Sequence, residues 1–442
     1  MFLRTFLCYR DQLIPMCLVP REDFPELILR RIVYLDNAAS TLKPRQVIDA
    51  MSRFAYESYA NVHRGIYGLS IEASRAYENA HQEVADFIGG SWDEVVFVRN
   101  TSEAIQLAVM LLVFNRILGR GDEVIVTETD HHSLILPIIK AARFVGANVK
   151  IIQVDSNGIP RWDQLPQVIS RKTRIVAVTH KSNVTGYVSD VKRIAKIAHE
   201  NDAIVIVDGA QSVPHMPVDV KDLDLDFLAF SGHKMLGPTG IGVLWGRMDL
   251  MSRLEPPLGG GGTVKRVKLG VDGLDIVWED PPWRFETGTP PIIEAIGLSE
   301  AIRYIKRVDV SRIYEHEKRL TVGLMKRLED LEEHIRIIGP IDPELRSGIV
   351  SFTIMESSPE LIGMWLDKRG IAVRTGLHCV HLLHDRIGSP EGSVRASFYI
   401  YNCEDDLEAL YKAIKEYIEH RPKNNNHGSI DNSNKSRLLR AG

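Results

Sequence analysis

Short apolar runs rich in β-branched residues alternate with longer amphipathic stretches through the middle of the chain. Glu94-Val-Val-Phe-Val98, Asp122-Glu-Val-Ile-Val126, Arg174-Ile-Val-Ala-Val178, Ala203-Ile-Val-Ile-Val207 and Asp226-Phe-Leu-Ala-Phe230 read as strands. Their length and their polar boundaries fit that state. Ser102 to about Leu118, His132 to Val145 and Asp190 to His199 read as helices with one apolar stripe. Such alternation predicts βαβ units and a largely parallel sheet. From about Pro291 to Leu331 the pattern turns into one long helical stretch. Beyond it Ile335–Ile338, Gly348–Phe352 and Ile371–Arg374 read as strands, with helices at about 359–369 and 404–420. The expected architecture is α/β: a large domain with a mostly parallel sheet, then a smaller α+β domain.

Size agrees with this division, because single cores stop growing near roughly 250–300 residues and the chain has 442. The boundaries read from sequence are an N-terminal extension over 1–18, a segment over 19–35 expected to pack on the small domain, a large domain over 36–300, a small domain over 301–420 and a disordered tail over 421–442. Met16 is a candidate alternative start. Arg4, Arg10 and Asp11 interrupt the apolar N-terminus, so it does not read as a signal peptide. No run reaches the length of a membrane span. With 25% charged residues and a net charge of -4, nothing suggests a nucleic-acid surface. Lys265-Arg-Val-Lys268 reads as an exposed hairpin edge. Four cysteines, Cys8, Cys17, Cys379 and Cys403, are too few for a disulfide framework in a chain this long. They point to free thiols in a reducing, cytoplasmic setting, with Cys403 a buried inert one.

The chemistry gathers at strand ends. Asp208 closes one apolar strand, and Lys234 follows another 26 residues later. Ligands of α/β proteins collect outside the carboxyl ends of such strands. A carboxylate and an amine delivered there suit pyridoxal phosphate, which needs a lysine for its Schiff base and an acid to keep its ring nitrogen protonated. No other lysine is read at a strand end in this way. Thr101 and Ser102 stand at a helix N-terminus, which reads both as an anion site and as an N-cap. His131 and Asn183 follow two further strands, and Gln211 lies just beyond Asp208; the His131 imidazole is a candidate catalytic group that could lie flat on a bound aromatic ring or pass a proton. In the second domain Arg374-Thr-Gly-Leu-His-Cys379 and Arg395 could bind a carboxylate bidentately and favour a thiolate at Cys379. A metal reading stays open there, because His378, Cys379, His381 and His384 crowd into seven residues.

With these residues in view, the chain resembles the cysteine desulfurase and selenocysteine lyase group of the class V aminotransferase superfamily. The resemblance rests on Arg21-Glu-Asp-Phe-Pro25, Tyr34-Leu-Asp-Asn-Ala-Ala-Ser40, Val62-His-Arg-Gly65, Asp130-His-His132, Asp208-Gly-Ala-Gln-Ser212, Ser231-Gly-His-Lys234, Phe285-Glu-Thr-Gly-Thr-Pro290, Arg374 to Cys379 and Val394-Arg-Ala-Ser397, and it runs from about residue 19 to 420. It implies fold-type I with pyridoxal 5'-phosphate on Lys234, Asp208 at the ring nitrogen, Gln211 at the ring hydroxyl and His131 stacked on the ring. Thr101, Ser102, Ser231 and His233 would hold the phosphate. Thr289 would reach the phosphate of the other subunit of a homodimer. Asn183, Arg395 and Arg374 would bind the carboxylate of L-cysteine, and Cys379 would take its sulfur. The implied products are alanine and a persulfide, passed to an acceptor thiol or protein, with iron–sulfur cluster assembly as the destination. Leu377 and the His-rich loop after Cys379 depart from the family pattern. Selenocysteine lyase, cysteine sulfinate desulfinase and aminotransferase activity therefore remain open, with a non-catalytic or metal-binding scaffold the more remote alternative.

Overall fold

The structure is a computed structural model that describes residues 17–271 and 273–420. The expectations for Cys8, for Met16 as a start and for the tail beyond residue 420 lie outside the described residues. Seven strands form the central sheet, in the order Val95–Val98, Gly242–Gly246, Phe227–Ser231, Ile204–Asp208, Thr173–Thr179, Glu123–Thr127, Asn148–Ile152. All neighbours pair in parallel except Gly242–Gly246, which runs antiparallel to both of its partners.

The strands are apolar throughout because both faces of this sheet are covered. Val205 and Val207 point into one core with Leu228, Phe230 and Val176, whereas Ile206 points into the other with Phe227, Ala229 and Ile175. Each Val, Leu, Ile or Phe among them gains roughly 1.5–3 kcal/mol from burial, so the period-two alternation fixes which face every strand residue occupies. Asn148–Ile152 was not read as a strand from sequence. It sits at the sheet edge with exposed and half-buried positions and lacks the continuous apolar run of its neighbours.

The long helical stretch is two helices, Ile292–Val308 and Val310–Glu329. Asp309 separates them with a φ of 79°, and its carboxylate caps the second helix by accepting from Ser311 N at 2.9 Å. Beyond them an antiparallel sheet forms in the order Ile335–Ile338, Ile349–Ile354, Ser393–Ser397, Arg374–Gly376. It covers a third core that includes Leu320, Phe352, Val394 and Leu407. The strand read over 371–374 breaks into Ile371–Ala372 and Arg374–Gly376, and the first part pairs in parallel with Val33–Tyr34. Arg21 also reaches Asp406 at 3.1 Å.

That same packing overturns the expectation of unpaired cysteines: Cys17 and Cys403 form a disulfide. They are 386 residues apart in sequence, and only the tertiary contact of the N-terminal segment with the last helix brings them together. Among the described residues no helix is long and apolar enough to cross a membrane.

Candidate active site

The carboxyl ends of the central strands open into a cavity of about 370 Å³, large enough for a cofactor with a small substrate. Thr101, Ser102, His131, Asn183, Asp208, Gln211, Ser231, His233, Lys234, Arg374, Cys379 and Arg395 all line it. Thr289 does not; it is exposed and borders a separate cavity with Arg99, Glu103 and Thr287.

Lys234 ends the tight turn Gly232–Lys234 that follows Phe227–Ser231. Burial pulls its ammonium pKa down, with Asp208 acting against and Arg395 with the shift. Asp208 is only 4% exposed. Its Oδ1 accepts from Ala210 N at 3.0 Å and its Oδ2 from Ser133 Oγ at 3.3 Å. Burial raises the Asp208 carboxyl above its usual range, and these hydrogen bonds and Lys234 oppose the rise. A cationic group beside Asp208 would restore the carboxylate.

Ser133 also binds His131: its hydroxyl lies 2.7 Å from Nδ1, and its backbone N–H donates to that nitrogen at 3.1 Å. Nδ1 is therefore an acceptor. Burial, followed by the charge of Lys234, pushes His131 down to about 3. Burial therefore favours the neutral ring near pH 7, which suits stacking. Nothing in the sequence singled out Ser133; its part depends on the helix His132–Val145 turning its first residues toward the strand end.

The cap of the helix Thr101–Phe114 is Asn100, not Thr101 or Ser102 as read from sequence. Its side chain accepts from Glu103 N at 3.1 Å. Thr101 instead pairs with Ser231, at 2.8 Å through its backbone N–H and 2.6 Å through its hydroxyl. With the cap supplied upstream, the Thr101 and Ser102 hydroxyls and the helix terminus form an anion cradle. Gly242 permits this, because a Cβ there would fall 2.6 Å from Asn100 Cα.

The opposite wall carries Cys379, the free cysteine among the described residues, and it is exposed. His378 and Cys379 both adopt left-handed backbone, with φ of 50° and 58°. Two successive non-glycine residues in that region cost roughly 1–2 kcal/mol each. Three contacts hold them: Asn183 Nδ2 donates to His378 O at 2.9 Å, His132 N donates to Cys379 O at 3.0 Å, and His378 Nε2 lies 3.1 Å from Ser393 Oγ. His381 stacks edge-on against His132 with centroids 4.5 Å apart, and buried His384 reaches the same Ser393 hydroxyl at 3.2 Å. The His-rich loop is thus a framework around the thiol. Among the described residues no group of three or more His, Cys, Asp or Glu side chains could hold a metal ion.

Arg395 is 3% exposed, and its Nη1 donates to Asn183 O at 3.0 Å. Burial brings its pKa down to about 10. Arg374 lies nearer solvent and grips Asp36 through Nε at 3.1 Å and Nη2 at 2.8 Å; Arg395 Nη2 shares that carboxylate at 3.3 Å. Asp36 lies behind both guanidinium groups, outside the cavity lining. Lys181 is a second lysine on the lining, two residues past Thr173–Thr179, so Lys234 is not alone at a strand end.

Several buried polar atoms have no partner within the protein: Gln211 Oε1, Asn183 Oδ1, Arg395 Nε and His378 Nδ1. Buried polar groups are ordinarily satisfied, and all four of these residues line the cavity. Anion cradle, half-buried amine and buried carboxylate fit the phosphate, aldehyde and ring nitrogen of pyridoxal phosphate.

The Aminotransferase class-V family matches residues 33–410. A probable cysteine desulfurase of Aeropyrum pernix is 57% identical over 92% of this chain and 98% of that protein. The cysteine desulfurase of Haloferax volcanii is 42% identical over 87% and 88%. Among solved structures, the apo cysteine desulfurase of Thermococcus onnurineus superposes with a TM-score of 0.85 at 39% identity, covering 90% of this chain and 97% of that one. The chain belongs to the class V aminotransferase family and, within it, to the cysteine desulfurase group.

Proposed function

We propose that this chain is a pyridoxal-phosphate-dependent cysteine desulfurase in which Cys379 accepts the sulfur of L-cysteine. The observation that carries the reading is the sharing of one cavity by Lys234, Asp208, Cys379, Arg374 and Arg395. Bound there, pyridoxal phosphate supplies an electron sink for a carbanion at the substrate Cα.

The chain's own residues do the rest. Arg395 and Arg374 hold the substrate carboxylate, with the Asn183 amide beside it. Lys234, whose ammonium form burial disfavours, anchors the cofactor aldehyde and then takes the Cα proton at Nζ. Asp208 would keep the ring nitrogen protonated, and Gln211, whose Oε1 has no partner within the protein, would meet the ring hydroxyl. His131, whose neutral form burial favours, would stack on the ring. Thr101, Ser102, Ser231 and His233 bind the phosphate.

The Cys379 thiolate attacks the substrate sulfur. The Cβ–S bond breaks, an S–S bond forms on Cys379, and Cβ gains a proton as alanine forms. Carbon is reduced and sulfur oxidised within one substrate, so no external oxidant is required.

The same reading gives a homodimer in which Thr289 serves the phosphate of the second subunit, a large domain over 36–300 and a small one over 301–420. It places the enzyme in the cytoplasm, delivering sulfur to an acceptor thiol or protein for iron–sulfur cluster assembly.

The test is a single turnover of the cofactor-loaded protein with L-cysteine, selenocysteine or cysteine sulfinate and no reductant. One alanine and one extra sulfur on the Cys379 peptide are expected from L-cysteine. Alanine from selenocysteine alone would make the enzyme a selenocysteine lyase.

A further inference from the structure

Beside the cavity, with Lys181 on its lining, lies a buried ionic cluster that the reaction outlined above does not use. Lys181 is 1% exposed, and its Nζ lies 3.3 Å from Oε2 of Glu317, itself 0% exposed on the helix Val310–Glu329. Glu317 Oε1 lies 2.6 Å from Nδ1 of His215, which is 3% exposed. Gly348 seals the group: its φ is 71°, and a Cβ there would overlap Glu317 Oε2 and fall 2.9 Å from Lys181 Nζ. The geometry points to Lys181, Glu317 and His215 as a positioning network that keeps the cofactor side of the cavity in register with the side bearing Cys379 and Arg395. This inference rests on the cysteine desulfurase reading.

The connections of the three residues carry the argument. Lys181 stands two residues before Asn183, whose carbonyl accepts from Arg395 and whose amide holds His378. His215 stands four residues past Gln211, in the turn that follows Asp208. Glu317 belongs to the helix whose Thr321 hydroxyl accepts from Gly348 N at 2.8 Å, just ahead of the strand Ile349–Ile354. That strand pairs with Ser393–Ser397, which carries Arg395. One carboxylate therefore joins the Asn183 loop, the Asp208–Gln211 turn and the sheet that bears Arg395.

Two backbone hydrogen bonds cross the same seam, Val188 N to Leu345 O at 3.1 Å and Ser347 N to Gly186 O at 3.2 Å. Burial holds both His215 and Lys181 below their usual pKa values, and the Glu317 carboxylate opposes the shift in each. Buried pairs of this kind often add no net stability over an apolar replacement, and a specific arrangement is one thing they can provide. The Lys181 amine is also committed to Glu317, which separates its role from that of Lys234.

The Lys181→Met/Glu317→Met double variant removes both charges together and leaves no lone buried ion. In the apo-protein, exchange of the Val188 and Ser347 amides is expected to quicken by at least about tenfold, with the strand Ile204–Asp208 unchanged. In the cofactor-loaded protein, kcat for alanine release is expected to fall at least about tenfold, with KM and the pyridoxal phosphate Kd within about threefold. A lower Tm with unchanged kcat would reduce the cluster to a structural ion pair and overturn the inference. Unchanged exchange with unchanged kcat would overturn it as well. If the double variant does not fold, Glu317→Gln is read by the same criteria. It keeps the size of the side chain and removes its charge, and wild-type kcat in that variant sinks the proposal. Failure of the wild type to release alanine from L-cysteine would sink the desulfurase reading alone, because the exchange measurement uses no substrate and still decides whether the network joins the two sides.

Discussion

The two walls of the cavity are built on different principles. On one wall Asp208, Asn183, His131 and Lys234 each follow a strand of a single sheet, so neighbouring strands deliver them to one edge. On the other, Cys379 projects from a loop whose backbone holds φ of 50° and 58° at two successive residues. Contacts from distant segments fix it: Asn183 and His132 on its carbonyls, and Ser393 on the His378 ring. The first wall is rigid because the sheet is buried on both faces. The second is assembled from individual bonds, each of which can be broken separately. The proposed transfer, from substrate to Cys379 and on to an acceptor, would suit the second kind of wall.

The largest effect should come from breaking the first wall. Lys234→Ala is expected to lower alanine formation on the order of 10⁴-fold, through loss of the proton-transferring amine. The borohydride-reducible cofactor adduct should vanish with it. An adduct on Lys181 in that variant would contradict the assignment, since Glu317 holds that amine.

The two arginines sharpen the comparison at the second wall. A hydrogen bond to a buried charged group is worth about 1.5–3 kcal/mol, so Arg395→Ala should raise KM for L-cysteine about tenfold or more. Arg374 has half its side chain exposed and an ion pair near solvent. Its alanine variant should cost under about 1 kcal/mol, less than about fivefold in KM. Equal effects in steady-state assays would show that burial does not separate the two.

The disulfide should not touch turnover at all. Replacing Cys17 and Cys403 together with serine should cost about 2–4 kcal/mol of stability, seen as a lower denaturant midpoint. A fall in kcat per folded molecule would mean that the N-terminal segment reaches the site.

Acid should weaken the molecule through its buried histidines. Burial sets His131 at about 3, His180 and His233 at about 4 and His378 at about 2. These values lie below the ordinary 6.5, so the unfolded chain binds protons first as pH falls. Stability is full above about 6.5 and declines below it, by up to about 1.4 kcal/mol per pH unit for each histidine. Denaturant midpoints of the apo-protein at pH 7 and pH 5 would measure this, and equal midpoints would contradict it.

The contrast between the walls also explains what was legible in the sequence. The strand ends at Asp208 and Lys234 follow from an apolar run of the right length, and the parallel order follows from alternation with helices. Asn148–Ile152 leaves no such signal, because an edge strand needs no continuous apolar face. The break at Asp309 depends on a left-handed turn that no hydrophobic period records. Asp36 and Lys181 act through partners far away in sequence, as Ser133 does toward Asp208, and spacing carries no trace of those contacts. Cys17 and Cys403 show the same limit: counting cysteines suggested free thiols, and a tertiary contact across 386 residues paired two of them. The histidines after Cys379 were visible as a cluster, but only their geometry distinguishes a loop framework from a ligand set.

The central claim is that Cys379, and no other group, accepts the substrate sulfur. Cys379→Ala should still bind pyridoxal phosphate and change its absorbance when L-cysteine is added. It should release almost no alanine, because no thiolate is there to take the sulfur. Mass spectrometry of the wild type after one turnover without reductant tests this most directly. The account predicts a single extra sulfur on the peptide carrying Cys379. An extra sulfur on any other cysteine, or wild-type alanine release from the Cys379→Ala variant, would contradict it.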